Sequence, residues 1–428
     1  MRDRASFTWR RLGVAAVCIA AGLLAGCGGG DDGGDQSASG GGGGTVTVYS
    51  SLPLQGAARP QSEKVVNGIK LALEQAGGKA GQFTVKYQSL DDSTPQAATW
   101  TPEATSANAR KVSQDESGIA YIGEFNSGAT AVSLPILNEG GVAMVSPANS
   151  AVGLTQKGPG SEPGEPEKYS PSGDRTFSRI VPTDLVQGAG MVQRMKDEGC
   201  TSIFILNDKE VYGTGLAKNI VRAADAQGIK VAANEGIDPK AANYRSLAGR
   251  MRSAGADCFA YAGITANNAV QLFKDIATAN PDAKVMMGSD AVAEPAFTDP
   301  KEGGLPASVA KRVTVTAVGL APKDYPPAGQ KFFKDYKAKY GGGDPGQYAI
   351  FGFESMGLVL DAIKRAGDQG NDRAAVLEQI MSTKDRQSPI GTYSITDTGD
   401  TTLTNYGVYG IKNGSLDYIE AVEAPSSG

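Results

Sequence analysis

Apolar and polar positions follow two alternating periods along most of the chain. Short runs of β-branched and aromatic residues, such as TVTVYSSL at 45–52, are followed by stretches in which apolar residues recur every three or four positions. In EKVVNGIKLALEQAGG this spacing places Val66, Ile69 and Leu73 on one helical face, and the glycines end the helix. The strands QFTVKYQSL, IAYIG and VAMVSPA follow, with helices between them. This alternation predicts a parallel sheet covered by helices on both faces.

The alternation stops once and then begins again. Residues 155–176 are rich in Gly, Pro and Glu, which is typical of a long surface loop. A second series of strands follows: CTSIFIL, KVAANEGI, CFAYAG, KVMMGSD and RVTVTAV. Helical stretches and a last group of strands separated by Gly, Asn and Asp turns complete the chain. The sequence therefore predicts two α/β lobes of similar construction in series.

The first residues indicate the cellular compartment. Four arginines precede an apolar run at 12–25, which is too short to remain in a bilayer as a permanent span. The run ends in LLAGC, which resembles a bacterial lipobox with Cys27 as the residue that takes the lipid. We therefore predict a signal peptide over residues 1–26 and a disordered Gly-rich tether over 27–44. The folded body is expected outside the cytoplasm, anchored to the bacterial cell membrane by its lipid.

Composition excludes several classes of function. The sequence contains no histidine, which excludes Ser-His-Asp and Cys-His catalysis and histidine-based zinc sites. The formal net charge is −5 and there is no basic stripe, so nucleic acid is not an expected partner. We expect neither a metal nor a cofactor. Carboxylate chemistry stays open, although Asp91 and Asp92 are adjacent on a strand and point to opposite faces, which disfavours a shared catalytic site.

Two cysteines remain in the folded body after processing. Cys200 and Cys258 each stand at the entrance to a predicted strand. The first and third strands of an α/β unit are often neighbours, and an oxidising compartment permits a disulfide. A disulfide and two buried thiols are both consistent with the sequence.

A cluster of small polar residues lies between a predicted strand and a predicted helix. In YIGEFNSGATAVSLPIL, Asn126, Ser127 and Thr130 carry amide or hydroxyl groups, and Gly128 allows close backbone approach. One interpretation is an ordinary capped helix start, since Asn and Ser are preferred N-caps. The other is an anion cradle, because free N–H groups and the helix dipole favour negative charge. The segment alone does not choose between them.

The order of several motifs resembles the type I periplasmic binding proteins, specifically the branched-chain amino-acid receptors of ABC importers. The motifs are GIKLALEQAGG, YQSLDD, YIGEFNSGATAVSLPIL, VSPANSAVGLT, FSRIVPTDLVQGAGM, DKEVYGTG and MMGSD. The resemblance implies two Rossmann-like lobes joined by three crossovers, with the ligand in the cleft between them. By this similarity lobe 1 comprises residues 45–181 and 319–399, and lobe 2 comprises 182–318 and 400–425.

The resemblance also implies how the first lobe holds an amino acid. In this family the segment after IGEFN and the turn SPANS bind the α-carboxylate. By residue-level similarity, Ser127 is the first residue that contacts the carboxylate, and Asn126 lies beside it. Ala148 contributes a backbone group to the ligand, and Ser150 stands where the family usually has threonine. From the sequence alone, Ser150 is also consistent with a plain N-cap.

In the second lobe the resemblance points to a tyrosine and an acid. Tyr212 matches the family's tyrosine, and Asp290 matches the acid that pairs with the ligand's ammonium group. A helix cap for AVAEPAF is the alternative role for Asp290. The family commonly has an aromatic residue after AYAG, where this chain has Ile264 and Thr265. Leu52, Phe125 and Tyr212 are further candidates for apolar walls of the site.

The resemblance implies the solute-binding lipoprotein of an ABC importer. The expected ligand is a branched-chain amino acid or a related small zwitterion, bound by hinge closure and delivered to a permease with its ATPase subunits. A monomer is expected. Two alternatives remain: a sensing lipoprotein of the same fold that signals to a membrane partner, and a surface hydrolase that uses carboxylates.

Overall fold

The computed structural model describes residues 43–341 and 343–423. The predicted signal peptide, the predicted tether up to residue 42 and Cys27 lie outside these ranges. Within them, no helix combines the length and the apolar character that crossing a membrane requires.

The first sheet has six strands in the order β2-β3-β1-β4-β5-β6. Their bounds are β1 (Thr45–Leu52), β2 (Lys79–Ala80), β3 (Phe83–Asp91), β4 (Gly118–Ile122), β5 (Ala143–Ser146) and β6 (Phe177–Arg179). All neighbouring pairs are parallel except β2 with β3. Seven of the eight residues of β1 are buried, as expected for a parallel strand covered on both faces.

The second sheet has seven strands in the order β15-β14-β11-β10-β9-β7-β8. Their bounds are β7 (Ser202–Asn207), β8 (Lys230–Gly236), β9 (Cys258–Ala262), β10 (Val285–Gly288), β11 (Val313–Ala317), β14 (Asn405–Lys412) and β15 (Ser415–Glu423). The last two form an antiparallel hairpin at the edge of the sheet. Its turn is Asn413-Gly414, and both residues have positive φ, as a two-residue hairpin turn requires.

Twelve helices connect and cover these strands in the described part of the chain. They are α1 (Arg59–Gln75), α2 (Pro102–Gln114), α3 (Ser127–Glu139), α4 (Asp184–Asp197), α5 (Val211–Gln227), α6 (Arg245–Ser253), α7 (Ala269–Ala279), α8 (Pro295–Thr298), α9 (Ala307–Ala310), α10 (Pro327–Tyr340), α11 (Ala349–Arg365) and α12 (Arg373–Met381). Short 3₁₀ turns occupy Val152–Leu154, Glu167–Tyr169, Thr265–Asn267, Asp290–Val292, Pro300–Glu302, Pro322–Asp324 and Gly367–Gln369. A two-stranded ribbon, β12 (Arg386–Ser388) and β13 (Gly391–Tyr393), follows α12.

The late helices pack on the first sheet, although the second sheet precedes them in sequence. Helix α11 lies along α1, and its apolar residues belong to the same core as β1, β3 and β4. The chain passes between the sheets after β6, after β11 and again before β14. The residues at which each lobe begins and ends stay a prediction.

A disulfide joins Cys200 and Cys258, whose Cα atoms are 5.9 Å apart. Strands β7 and β9 are direct neighbours, and Cys258 pairs in register with Ile203. Of the two possibilities that the sequence leaves open, the structure contains the bond. The disulfide ties together the amino-terminal ends of these two strands.

Candidate functional site

A cleft lies where loops of the two sheets meet, and its empty space measures about 580 Å³. The lining residues are Ala57, Ala58, Gln61, Ala98, Thr99, Phe125, Asn126, Ser127, Ala148, Ser150, Tyr212, Ile264, Thr265, Ala266, Asp290, Ala291, Glu294 and Tyr348. Many of them follow the carboxyl ends of β4, β5, β9 and β10, which is where open α/β sheets bind ligands. All seven predicted ligand-binding residues line this cleft.

The start of α3 is not capped by its own side chains. Asn126 occupies the N-cap position in an extended conformation, but its side chain accepts no hydrogen bond from the helix. The first helical bond runs from the N–H of Thr130 to the carbonyl of Asn126. The preceding N–H groups, of Ser127, Gly128 and Ala129, have no acceptor within the described residues. This geometry favours the anion cradle over the ordinary capped start.

The SPANS turn is attached to this helix start. The side chain of Thr130 donates to Oδ1 of Asn149, and Nδ2 of Asn149 donates to the carbonyl of Phe125 at 3.0 Å. Thr130 is therefore buried between the two segments and does not line the cleft, contrary to its grouping with Asn126 and Ser127. The hydrogen bonds hold Ser127 and Ser150 on one wall.

Ala148 and Ser150 present different groups to a ligand in the cleft. The N–H of Ala148 donates to Oγ of Ser146 at 3.2 Å, so the backbone group left for a ligand is its carbonyl. Ser150 does not act as an N-cap, because Ala151 precedes the following 3₁₀ turn and no side chain caps it. The hydroxyl of Ser150 lines the cleft and also lies beside the buried carboxyl of Asp184, where it lowers in part the pKa that burial raises.

A buried arginine that sequence analysis missed supports this wall. Arg179, at the end of β6, has no exposed surface and forms an ion pair with Asp400 at 2.6 Å. Its guanidinium also donates to the carbonyl of Ala151 at 2.8 Å and to Oγ1 of Thr155 at 2.5 Å. Arg179 therefore fixes the segment that carries Ser150. The sequence signal was an arginine inside an apolar strand, FSRI.

Asp290 is held by three neutral donors from three different elements. Oδ1 accepts from Nε2 of Gln187 at 2.9 Å and from the hydroxyl of Tyr212 at 2.5 Å. Oδ2 accepts from the hydroxyl of Tyr348 at 2.6 Å. Burial raises the pKa of Asp290, and the hydrogen bonds from Tyr212 and Tyr348 offset part of that rise. Its side chain caps no helix, which removes the alternative role.

No cation accompanies Asp290 in the described part of the protein. None of the ion pairs there includes it, and no lysine or arginine lines the cleft. A buried carboxylate without a counter-charge is costly unless a cation reaches it. The site therefore has one group that is suited to a positively charged part of a ligand.

Tyr348 and Gln187 were not identified from the sequence. Tyr348 precedes α11, which packs on the first sheet, and its ring meets Phe125 edge-on with centroids 5.0 Å apart. Gln187 lies on α4. Both reach Asp290 through the folding of distant segments. Gln187 lies in the motif FSRIVPTDLVQGAGM, to which the resemblance assigned no ligand contact, and Tyr348 lies in none of the motifs.

The remaining wall is small and polar. It contains Ile264 and Thr265, which replace the expected aromatic residue, together with Gln61, Thr99 and Glu294. Burial raises the pKa of Glu294 to about 8, and Thr265 lowers it in part.

Leu52 was expected to form part of the wall, and this expectation is wrong. The residue is fully buried in the core of the first sheet and does not line the cleft.

At Gly128 the two lobes approach closely. A Cβ at this position would lie 2.7 Å from Cζ2 of Trp100 and 3.3 Å from Oε2 of Glu210. Glu210 precedes α5 of the second lobe, whereas Gly128 lies in the first turn of α3. The nearer contact, with Trp100, lies within the first lobe, and Glu210 is the neighbour from the second lobe.

Asp91 and Asp92 serve the structure of the first lobe. Asp91 accepts hydrogen bonds from the N–H of Leu54 at 3.0 Å and from Nε2 of Gln55 at 2.8 Å. Asp92 is buried beside Glu124, and burial and the charge of Glu124 raise its pKa. Neither aspartate lines the cleft. Within the described residues there is also no cluster of three or more groups that would hold a metal ion.

Comparisons with known proteins agree over nearly the whole described chain. The periplasmic binding protein family matches residues 45–415. The chain is 24% identical over 369 residues to Leu/Ile/Val-binding protein homolog 2 of Brucella abortus (strain 2308), which covers 85% of this chain and 89% of that protein. It is 23% identical over 375 residues to the leucine-, isoleucine-, valine-, threonine- and alanine-binding protein of Pseudomonas aeruginosa, with the same two coverages, 85% and 89%.

Solved structures show the same fold. The leucine-binding protein LivK from Thermotoga maritima MSB8 has a TM-score of 0.75 at 22% identity, covering 88% of this chain and 99% of that chain. A solute-binding protein of an ABC transporter from Rhodopseudomonas palustris HaA2, in complex with p-hydroxybenzoic acid, has a TM-score of 0.72 at 18% identity, covering 89% and 97%. The predicted two-lobed fold is confirmed. Since the family match spans both lobes, the chain belongs to the periplasmic binding protein family and is a binding protein, not an enzyme.

Proposed function

We propose that this protein is the solute receptor of an ABC importer and that it binds a free amino acid between its lobes. One observation carries the proposal. The cleft combines an uncapped helix start and serine hydroxyls from one lobe with a buried, uncompensated carboxylate, Asp290, from the other. These two features suit the carboxylate and the ammonium group of one small zwitterion.

The carboxylate end is assigned to the first lobe. The free N–H groups at the start of α3 and the hydroxyls of Ser127 and Ser150 donate hydrogen bonds to an anion. A helix start contributes about 0.3–1 kcal/mol toward a negative charge, and up to about 2 kcal/mol where it is partly buried. Asn126 lines the same end, and its buried Oδ1, which has no partner among the described residues, accepts a hydrogen bond from a donor group of the ligand and not from its carboxylate.

The ammonium end is assigned to Asp290, with Tyr212 beside it. Oδ2 of Asp290 accepts one hydrogen bond, from Tyr348, so it has capacity for another donor. The carbonyl of Ala148, which accepts no hydrogen bond within the described residues, is the second acceptor that we assign to the ammonium group. A cation at this position removes the cost of the buried charge.

Binding closes the lobes over the solute. The bond from Tyr348 to Asp290 crosses the cleft, since α11 packs on the first sheet and Asp290 follows β10 of the second. A solute held by both lobes makes contacts in the closed form that the open form lacks. This difference in affinity is what shifts the equilibrium toward closure.

The names of the relatives support an amino acid but do not fix which one. The Brucella and Pseudomonas relatives are named for branched-chain and other small amino acids, whereas the Rhodopseudomonas structure contains an aromatic acid without an ammonium group. The uncompensated Asp290 favours a ligand that carries a cation. We therefore assign the amino-acid class.

The partners in this proposal are a permease and its ATPase subunits, with the receptor held at the membrane through a lipid on Cys27. A receptor of the same fold that signals to a membrane partner has the same cleft. Uptake of the bound solute by cells, and its loss on deletion of the receptor, separates transport from sensing.

A thermal-shift screen tests the ligand class directly. The protein without its signal peptide is heated with each amino acid, and separately with benzoate and p-hydroxybenzoate. A ligand at 100 times its Kd stabilises the folded state by about 2.7 kcal/mol. We expect stabilisation by amino acids and its loss in Asp290→Asn. Stabilisation by the aromatic acids alone, unchanged in Asp290→Asn, contradicts the proposal.

A further inference from the structure

The cleft contains a second buried acid that the recognition of a simple amino acid does not use. Glu294 lies four positions after Asp290, and both residues line the same cleft. Glu294 is 5% exposed and enters none of the ion pairs of the described residues. Two carboxylates and no basic side chain therefore face the solute.

Glu294 has no structural role that accounts for its burial. It occupies the N-cap position of α8, but its side chain makes no capping hydrogen bond. Its backbone carbonyl, and not its carboxyl group, accepts hydrogen bonds from the first turn of the helix, from the N–H groups of Phe297 and Thr298 at 3.0 Å. The carboxyl group is thus left to the cleft.

Glu294 and Asp290 differ in how well the protein satisfies them. Asp290 receives three strong hydrogen bonds from Gln187, Tyr212 and Tyr348. Burial raises the pKa of Glu294 to about 8. The hydroxyl of Thr265 is the neighbour that lowers this pKa and so favours the charged form of Glu294. Burying a carboxylate costs more free energy when few hydrogen-bond donors reach it. A ligand group that donates to Glu294 therefore offsets more of this cost than one that donates to Asp290.

Polar side chains surround Glu294 in the cleft. Gln61 of the first lobe is 5% exposed, and its side chain makes no hydrogen bond within the described residues, although it lines the cleft. Thr99 and Thr265 add two hydroxyls, of which that of Thr265 already donates to the carbonyl of Ala291 at 3.4 Å. An aliphatic side chain in this place would leave the amide of Gln61 unsatisfied.

We propose that Glu294 binds a second hydrogen-bond-donating group of the solute, and that the solute is an amino acid whose side chain ends in an amine. This inference rests on the proposed function, because the first amino group and the carboxylate occupy the site described above. A diamino acid brings two positive charges to Asp290 and Glu294 and leaves its own carboxylate to the start of α3. Gln61 and Thr265 complete the second amine site.

Matched ligand pairs test the proposal. Ornithine and norleucine have side chains of the same length that differ in an ammonium group against a methyl group, and 2,4-diaminobutyrate and norvaline form a shorter pair. Calorimetric titration of the wild type is expected to give the amine-bearing member about tenfold to a hundredfold tighter binding in at least one pair. Glu294→Gln should reduce that ratio by about tenfold.

Glu302→Gln provides the control, since it removes the same charge from an exposed position in a nearby 3₁₀ turn. It should leave the ratio unchanged. A second measurement uses the wild type alone, in buffers of different ionisation enthalpy at pH 7. A cation that approaches Glu294, with Asp290 and Tyr348 in the same cleft, lowers its pKa and releases a proton. The α-ammonium group has the same effect on Asp290 with either ligand, so ornithine binding should release more protons than norleucine binding.

The outcomes separate this inference from the function on which it rests. If norvaline and norleucine bind at least as tightly as their amine counterparts, or if the ratio is unchanged in Glu294→Gln, the second amine site is wrong while the amino-acid receptor stands. If no amino acid of either kind binds, both are wrong. Should Glu294→Gln fold poorly, the wild-type ratio and proton release still decide.

Discussion

The hydroxyl of Tyr348 donates a 2.6 Å hydrogen bond to Oδ2 of Asp290, across 58 positions of sequence and from one lobe to the other. Tyr348 precedes a helix packed on the first sheet, and Asp290 follows a strand of the second. Both residues line the cleft. The same carboxylate that we assign to the ligand's ammonium group therefore also joins the two lobes, so binding and closure share one residue.

Tyr348→Phe should weaken solute binding by about tenfold or more. The substitution removes a hydrogen bond to a charged group, which contributes about 1.5–3 kcal/mol, while the ring keeps its contact with Phe125. Calorimetric titration measures the change in Kd. Tyr340→Phe is the matched control, because the Tyr340 hydroxyl donates to the carbonyl of Asn67 at 3.1 Å, away from the cleft. Wild-type affinity in Tyr348→Phe would show that this bond plays no part in closure.

Asp290→Asn should weaken amino-acid binding far more than it lowers folding stability. The variant loses the charge that pairs with an ammonium group, and we expect an increase in Kd of about a hundredfold or more. The free energy of unfolding should change little, because burial already disfavours the charged carboxylate. Titration and urea unfolding on the same preparation measure both quantities. Asp417→Asn, an exposed change on β15, should alter neither. Unchanged affinity in Asp290→Asn removes this residue from the site.

Loss of the disulfide should lower stability without changing affinity. Cys200 and Cys258 are separated by 58 positions, and in the chain-entropy description a loop of this length contributes about 4 kcal/mol. The bond lies at the amino-terminal ends of β7 and β9, whereas the cleft lies beyond the carboxyl ends. Urea unfolding of the Cys200→Ser/Cys258→Ser variant, with titration at a temperature where it is folded, tests both statements. A large loss of affinity in the folded variant would contradict the second.

The ligand-free protein should become less stable as the pH rises from about 5 to 8. Burial raises the pKa of Asp184 to about 7, although the hydroxyl of Ser150 lowers it in part and the charge of Asp290 raises it further. Burial raises the pKa of Glu294 to about 8. Between the ordinary and the raised pKa, the folded state binds more protons than the unfolded state, so the free energy of unfolding falls with pH. Urea unfolding at several pH values measures the slope, and Asp184→Asn and Glu294→Gln should each flatten it. A rising slope would contradict the assignment.

At lower pH the free energy of unfolding should rise with pH instead of falling. Burial would raise the pKa of Asp257, but hydrogen bonds with Lys284, Ser202 and Thr201 lower it to about 2. The stability that Asp257 contributes is fully present above its ordinary pKa of 3.8 and is lost as the pH falls toward 2. Together these groups place the maximum stability in mildly acidic solution.

Sequence patterns predicted the parts of this fold that depend on local order. Strand and helix alternation predicted both sheets, because each element has its own hydrophobic period. The small polar residues after β4 and β5 were assigned to one wall of the cleft by the family resemblance, since the residues alone left a plain helix cap open.

The remaining site residues depend on how distant segments face each other. Tyr348 and Glu294 stand at helix starts outside the motifs, and Gln187 lies in a motif that gave it no role in binding, so the mutual orientation of the lobes determines what these residues do. Leu52 shows the opposite error. It ends β1 next to the cleft, but its side chain belongs to the core, because the side of a strand on which a residue points is not given by its distance from the strand end.

The glycine at position 128 offers a practical handle on this receptor. Its backbone adopts an ordinary helical conformation that alanine accepts, yet an added methyl group would press against Trp100 and Glu210 where the lobes meet. Gly128→Ala should therefore displace the indole of Trp100 within the first lobe and meet the second lobe only at the tip of the Glu210 side chain. Because this indole lies so near the place where the lobes meet, its fluorescence offers a built-in optical reporter of their movement.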